Sequence, residues 1–582
     1  MEKDLIIRIA GEGGEGVIST GDFLMQAAAR LGLEVVTFKT FPSEIKGGYA
    51  LSQVRVSEEP ILSQGDSFNI LVAFNGEAYY MNKASLTPGT VLVYDFPGGD
   101  FKPEEHPGVF MYPVPMSKIA KDELISYISK NMVAIGAVAE LFGIPIESIK
   151  TSIHDKFIRK GEDVVKINQR AVEAGAGYVR KNLKKTDPYK FPSPRPQKDV
   201  IVLEGNQAIA LGAITAGCRF FSCYPITPAT SIANYLSDLM LQVNGYVYQA
   251  EDEIASIGNC IGASFVGIKS MTATSGPGLD LMTELIGLAS MSEIPVVIVD
   301  VQRGGPSTGM PTKHDQSDLF AACFGTHGDT PKIVIAASNV EENFYLTIEA
   351  FNLAERYQLP VILLSDASLA IRVEAVKVPD PSHIKIVNRE VYKGQSDADE
   401  KFLRYKITES GISPVGIPGT KGAAYAATGL EHSEDSGPRT NPETRTVMTD
   451  KRWRKLSHLE DEWNPVEREG DQEAGIGIIS WGLTQTVVKE AVQHLRAKGL
   501  KVAALYPKML WPLPVKAIES FALTVNKVLV PEANYQGQLA DIIRAKTSVK
   551  PIKYNVYRGE PFIPMEIEEK VESLYEHDRV GV

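Results

Sequence analysis

Four side chains in the middle of this 582-residue chain sit in settings suited to chemistry: Thr227, Glu253, Arg303 and Thr312. Thr227 lies in Cys223-Tyr224-Pro225-Ile226-Thr227-Pro228-Ala229-Thr230, where two prolines bracket a hydroxyl. Each proline fixes its own φ and drives the residue before it into an extended conformation. The stretch therefore predicts a stiff strand-to-helix turn with Thr227 as N-cap and Pro228 as first helical residue. It would present a hydroxyl and backbone groups at the carboxyl end of a strand; the plain alternative is a well-capped helix start. Glu253 follows Glu251-Asp252 at a predicted helix start, where a carboxylate either serves a site or only complements the helix dipole. Arg303 stands in Gln302-Arg303-Gly304-Gly305-Pro306-Ser307-Thr308-Gly309-Met310-Pro311-Thr312, a guanidinium framed by glycines and hydroxyls, with His314, Asp315 and Gln316 close behind. A guanidinium fork matches a carboxylate in bidentate fashion, so an acid is the expected partner.

A further candidate lies near the start. Leu5 to Ala10 is a buried-strand pattern, followed by Gly11-Glu12-Gly13-Gly14-Glu15-Gly16 and a helical pattern (Phe23, Leu24, Ala27, Ala28, Leu31). Strand, glycine turn and helix in that order form an anion site at a helix N-terminus, or a tight turn that packs helix on sheet. The next strand ends in Lys39 instead of the carboxylate that holds a nicotinamide ribose, and Glu12 and Glu15 would repel a pyrophosphate.

The elements that must position these residues are repeated β–α units. Between Asp199 and about residue 380, strands are expected at the apolar run Phe220-Phe221 that leads to Tyr224, and at Tyr246–Gln249, Lys269–Thr274, Val296–Val301 and Val361–Leu364, each ending in one of the unusual turns, including Ser275-Gly276-Pro277-Gly278. This is the pattern of an α/β domain whose strand ends carry the ligand. The expected divisions are an α/β domain over 1–183, a linker over 184–198, the central domain over 199–380, a polar connecting segment over 381–465 and a further α/β domain over 466–582.

Composition removes several classes of function. The net charge is −12 and no basic tract stands out, which argues against nucleic acid. Apolar runs are strand-length, so no membrane span is expected, and Met1-Glu2-Lys3-Asp4 leads into a strand without a signal peptide. The four cysteines, Cys218, Cys223, Cys260 and Cys323, form no Cys-x-x-Cys pair; an iron–sulfur cluster or structural zinc held by this chain is not expected, and the usage fits a reducing cytoplasm.

Taken in order, Tyr224-Pro225-Ile226-Thr227-Pro228, Glu253 with Gly262-Ala263, and the loop Gln302 to Thr312 resemble the α subunit of the 2-oxoacid:ferredoxin oxidoreductases, thiamine-diphosphate enzymes related to pyruvate:ferredoxin oxidoreductase. The segment Arg404 to Pro414 and Gly429-Leu430-Glu431-His432 add to the likeness, which spans nearly the whole chain. The resemblance implies several α/β domains: a γ-type domain fused in front, a central thiamine-diphosphate pyrimidine-binding domain and a C-terminal transketolase-like domain. It implies that Glu253 meets N1′ of the thiamine aminopyrimidine. Arg303 would clamp the 2-oxoacid carboxylate, and Thr227 and Thr312 would orient carboxylate and keto oxygen. Tyr224, Pro225 and Ile226 would border the cofactor, and Gly11, Gly13, Gly14 and Gly16 would be the candidate contact for coenzyme A.

No Gly-Asp-Gly with a later asparagine pair is present, so the resemblance implies a β subunit supplying the diphosphate–Mg²⁺ site and a [4Fe–4S] cluster. The implied assembly is a dimer of α–β units handing electrons to ferredoxin, with 2-oxoglutarate the leading substrate. Two other readings stay open: a non-oxidative transferase of transketolase type, and a structural or dinucleotide-binding subunit without catalytic residues.

Overall fold

The computed structural model describes residues 4–42, 47–97, 101–122, 129–195, 199–394 and 401–580. The chain divides into two compact units, one formed by 1–204 with 371–379, the other by 205–370 with 380–582.

The first unit is built on an eight-stranded sheet. Its strands are Asp4–Glu12 (β1), Glu34–Thr40 (β2), Tyr49–Ser57 (β3), Ile70–Ala73 (β4), Val91–Asp95 (β5), Phe110–Val114 (β6) and Val200–Glu204 (β7), with Val373–Lys377 as the eighth. The order is β6-β5-β4-β1-β3-β2, then Val373–Lys377, then β7. The β6-to-β1 half is parallel and the rest antiparallel. Every residue of β4 and β5 is buried, as expected of parallel strands covered on both faces. Helices Lys130–Phe142 and Glu162–Asn182 cross closely because each offers a glycine. A Cβ on Gly136 would lie 2.0 Å from the Val172 carbonyl oxygen, and one on Gly175 would lie 2.0 Å from that of Val133.

Two expectations are corrected here. The strand after Asp199 does not open the central domain: β7 pairs with Val373–Lys377, whose Glu374 meets Val36 of β2. The physical reason is that β2 would otherwise be a bare sheet edge. Nor is the described part of 184–195 a free linker. The Tyr112 hydroxyl donates to buried Asp187 Oδ2 at 2.7 Å, and the Phe191 and Arg195 amides donate to Phe142 and Leu31 carbonyls at 2.8 Å each.

The second unit holds Phe220–Cys223 (β8), Tyr246–Gln249 (β9), Ser270–Thr274 (β10), Val296–Gln302 (β11), Ile333–Ala336 (β12) and Pro360–Asp366 (β13). They form a parallel sheet in the order β12-β13-β11-β10-β8-β9, with Met509–Trp511 antiparallel on β12. A separate five-stranded sheet takes Val466–Gly470, Val502–Pro507, Ala474–Ile479, Val525–Glu532 and Ile552–Asn555, in that spatial order. One apolar core joins the two sheets, with Met282, Ile298 and Val334 in the same cluster as Trp481, Leu505 and Phe521.

The segment expected as a polar connection carries helices Pro442–Arg454 and Leu459–Glu462 and is fastened by buried charge. Glu293 accepts from Lys451 at 2.8 Å and Lys455 at 2.6 Å, with all three side chains fully buried. The Arg404 guanidinium donates to the Glu293 carbonyl at 2.7 Å.

Candidate active site

In a parallel sheet all carboxyl ends lie along one edge, and the neighbouring strands β11, β10, β8 and β9 deliver the expected residues there in that order. From β11 comes Arg303, from β10 the turn Ser275–Gly278, from β8 the turn Tyr224–Thr230, and from β9 the approach to Glu253.

The structure joins two of these turns directly. Arg303, 7% exposed, donates Nη1 to the Thr227 carbonyl at 2.6 Å, while its Nε has no partner. It is thus the Thr227 carbonyl, not its exposed hydroxyl, that meets the arginine. Burial pulls the Arg303 pKa down, and the nearby Asp318 charge opposes that pull.

The capping expectation is corrected. The helix runs Thr230–Met240 with Ala229 as N-cap, so neither Thr227 nor Pro228 holds the predicted position. The turn closes on itself first: the Thr230 amide donates to Ile226 O at 3.0 Å, and Asn206 Nδ2 donates to Pro228 O at 2.9 Å. Tyr224 and Pro225 are left exposed and Ile226 half-buried.

Glu253 opens the helix Glu253–Phe265, with Asp252 as its N-cap accepting from the Ala255 amide at 2.7 Å. Asp252 thus does the capping, and Glu253, 5% exposed, has no hydrogen-bond partner among the described residues. Its neighbour is Gly278, in the first turn of helix Gly276–Met291, where a Cβ would come within 2.7 Å of Glu253 Cγ and Oε1. The Ser275 hydroxyl, also buried, has no partner either. A buried, unpaired carboxyl against the turn that carries an unpaired hydroxyl offers a donor–acceptor set that an aminopyrimidine ring would satisfy.

The Arg303 loop is a closed hairpin: the Gly304 amide donates to Lys313 O at 3.2 Å and the Met310 amide to Gly304 O at 2.7 Å. Gly309 has φ +50°, and a Cβ on it would lie 2.0 Å from the Gly304 oxygen. Thr312 is half-buried at the far side of this hairpin. Behind it the C-terminal third takes hold. Fully buried Gln316 donates Nε2 to Trp481 O at 3.0 Å, and its Oε1 accepts from the Thr484 hydroxyl at 2.7 Å and the Ala533 amide at 3.0 Å. Gln316→Ala would orphan three buried groups at about 1–3 kcal/mol each. It is expected to lower the unfolding midpoint of the purified subunit and raise KM for the substrate; wild-type values for both would show that the clamp does not set the loop.

The sequence pattern draws attention to His314 but not to its partner. His314 Nδ1 lies 3.0 Å from Asp366 Oδ1, both residues being 2% exposed. Sequence reasoning missed Asp300 and Asp318, which lie beneath Arg303's loop; a lone aspartate inside the apolar run Val296–Val301 was the available signal.

In the first unit the glycine turn is closed from inside. Glu15 accepts from the Glu12 amide at 2.9 Å and Asn75 Nδ2 at 2.9 Å, and pairs with Lys130 at 3.0 Å. The repulsion expected from Glu15 is therefore neutralised internally, and Gly14, at φ +104°, faces open space.

Three family models match the chain. Residues 211–451 match the family model described as pyruvate flavodoxin/ferredoxin oxidoreductase, thiamine diP-binding; 6–178 match the pyruvate ferredoxin/flavodoxin oxidoreductase model, and 474–560 core domain II of pyruvate:ferredoxin oxidoreductase. The α subunit of 2-oxoacid:ferredoxin oxidoreductase 2 from Aeropyrum pernix is 31% identical, over 98% of this chain and 98% of that one. The chain belongs to the 2-oxoacid:ferredoxin oxidoreductase α-subunit family. It is accordingly a subunit of an oxidoreductase. The family's 2-oxoglutarate oxidoreductase subunit KorA of Mycobacterium tuberculosis is 31% identical over 97% of this chain and 90% of its own length. A solved family structure, 2-oxoglutarate:ferredoxin oxidoreductase from Magnetococcus marinus with 2-oxoglutarate, coenzyme A and succinyl-CoA bound, superposes with a TM-score of 0.95 at 52% identity, covering 98% of this chain and 100% of that one.

Two further features bear on the family reading. Among the described residues no helix is long and apolar enough to cross a membrane. All four cysteines are buried and unpaired, and burial pushes the Cys223 thiol up to about 11.

Proposed function

We propose that this subunit contributes the pyrimidine-side half of a thiamine-diphosphate site and the substrate clamp of a CoA-dependent 2-oxoacid decarboxylase, with 2-oxoglutarate as substrate. The observation that carries it is the sheet edge on which Arg303, Thr227 and Glu253 converge, Arg303 being bonded to the Thr227 carbonyl. The likeness to a protein that binds 2-oxoglutarate and coenzyme A supports the choice of substrate and co-substrate.

In this reading Glu253, against the turn Ser275–Gly278, would hold the aminopyrimidine of thiamine diphosphate. The cofactor supplies the electron sink that lets a 2-oxoacid lose CO₂. This chain's residues do the rest. Glu253, dry and unpaired, keeps a proton at the ring nitrogen it faces. Arg303 anchors the 2-oxoacid carboxylate, with the Thr227 carbonyl fixing the guanidinium plane, and the Thr312 and Thr227 hydroxyls orient the carboxylate and keto oxygen. Tyr224, Pro225 and Ile226 wall the mouth. The glycine turn Gly11–Gly16 of the first unit is the candidate contact for coenzyme A, with Gly14 in open space and Glu15 neutralised by Lys130.

A β subunit supplies the diphosphate–Mg²⁺ site and the [4Fe–4S] cluster that passes electrons to ferredoxin, in a dimer of α–β units. Four unpaired buried cysteines fit the reducing cytoplasm.

The test is anaerobic purification with whatever subunit accompanies the chain, then dye reduction with coenzyme A, thiamine diphosphate and a panel of 2-oxoacids. Arg303→Ala is expected to reduce kcat/KM by about 10²-fold or more, mostly through KM, since one partner of a buried charge pair is removed. An intact cofactor-bound complex that reduces the dye with none of the 2-oxoacids would favour the transketolase-type alternative.

A further inference from the structure

Beneath Arg303 lies a pair of carboxyl groups that the proposed chemistry leaves unused. Asp300 belongs to β11, is fully buried, and neither of its carboxylate oxygens meets a donor. Asp318 Oδ2 is likewise buried without a donor. Ionised carboxylates only accept hydrogen bonds, so two of them facing each other in a dry place are satisfied only if one holds a proton. The surroundings say which. Asp318 packs against the first residue of helix Gly276–Met291, where a Cβ on Gly276 would lie 2.8 Å from both its carboxylate oxygens. The positive end of that helix and the Arg303 guanidinium both favour a charge on Asp318, whereas Asp300 has neither. The proton therefore rests on Asp300, and the pair carries one negative charge against the one positive charge of Arg303, whose buried Nε has no partner.

We propose that the Asp300–Asp318 pair is the resident counter-charge of Arg303 and that it takes up a proton when a 2-oxoacid carboxylate binds there, so that the buried site stays electrically balanced. The inference rests on the assignment of Arg303 as the carboxylate clamp. When the substrate anion arrives, the guanidinium would face two negative charges; protonation of the pair leaves one. When the carboxylate departs as CO₂ the proton is released, and the resting balance returns. Asp300 and Asp318 act through Arg303 and are positioning residues.

The charged groups around the pair are few. Asp280, exposed on the helix Gly276–Met291, and Asp315, in the loop after Arg303, raise the affinity of Asp318 for a proton, and Arg303 lowers it. Burial is the largest influence, pushing Asp318 up to about 7 and Asp300 well above the ordinary carboxylate range. Uptake of the additional proton therefore falls in the neutral range. The sign is fixed: a group protonated in the bound state and ionised in the free state makes binding weaken as pH rises above the free value.

The experiment is the pH profile of KM for the 2-oxoacid, measured on the holoenzyme with saturating coenzyme A between about pH 6 and about pH 9. Wild type is expected to be flat below about pH 7 and to rise by up to about tenfold per pH unit above it. Asp318→Asn removes the group that takes up the proton and should flatten the profile; Asp300→Asn imitates the resident proton, leaves Asp318 to titrate and should keep a rise, which covers the case in which the first variant does not fold. A wild-type KM without a rise, an Asp318→Asn variant that keeps the wild-type rise, or an Asp300→Asn variant that loses it would overturn the proposal. Arg303→Ala separates the two readings. If it raises KM while Asp318→Asn behaves as wild type, only the proton pair fails; if it leaves KM unchanged, the clamp assignment itself fails.

Discussion

Glu253→Gln is expected to lower turnover of the assembled enzyme by about 10²–10⁴-fold, the usual worth of a positioned acid–base group, with fold and assembly intact. The substitution keeps shape and volume at a site 5% exposed, and no hydrogen bond among the described residues is lost because the carboxyl makes none there. The helix start is secured by Asp252, whose side chain caps the Ala255 amide, so the change does not reach the backbone. What disappears is a carboxyl able to share a proton with whatever ring lies against it. Anaerobic dye reduction compared with thermal unfolding of the same preparation decides the matter. A variant with full turnover would make Glu253 a residue that merely suits a helix N-terminus, and would favour the structural-subunit alternative.

The largest effect on stability is expected from Glu293→Ala, at about 3–5 kcal/mol, because two fully buried ammonium groups lose their common counter-charge. Burial works to raise the Glu293 pKa, but the charges of Lys455, Lys451 and Arg404 outweigh it and hold the carboxyl far below the usual range. Three cations share one carboxylate, so burial draws Lys455 down to about 7. Because the folded pKa of Glu293 lies below the unfolded one, its contribution is complete above the ordinary carboxylate value and disappears as pH falls through the folded one. Chemical denaturation of the variant and wild type at neutral and acid pH measures this. A difference under about 1 kcal/mol at neutral pH would mean that the segment 401–455 is held by its apolar contacts alone.

How much of this was legible beforehand depended on the range of the interaction. Strand positions in the central sheet were readable where a short apolar run ends in glycine, proline or hydroxyl residues, as in β11; β9 falls where expected, Tyr246–Gln249, although largely exposed, whereas β12 was not expected. The convergence of the Arg303 loop and the Tyr224–Thr230 turn was readable for the same reason, since neighbouring parallel strands put their carboxyl ends together. Long-range pairing was hidden. Val200–Glu204 looks like any opening strand, and nothing local tells it to join Val373–Lys377 in another sheet. Lys451 and Lys455 read as surface charges in a polar connecting segment until the fold brings Glu293 against them. The proline-based cap at Thr227 failed because a turn bond from Thr230 to Ile226 closes before the helix begins, a choice decided by backbone hydrogen bonding and not by residue preference.

The pairing of Glu204 with Val373 has a consequence for how such a protein can be divided into genes. The polypeptide leaves the front sheet at one strand and re-enters it on the adjacent one, 169 positions later by subtraction of the two paired numbers, so the central portion is an excursion between neighbouring strands. A single cut anywhere within that excursion gives two polypeptides that each still own a strand of the front sheet, and the pieces remain tied by a five-residue antiparallel ladder. A cut upstream of β7 instead frees a front piece that ends its sheet at β2, and strands that the fused chain keeps paired become an open edge that needs some other cover. Fusion here therefore does more than keep two parts at equal stoichiometry: it lets one part finish the other's sheet.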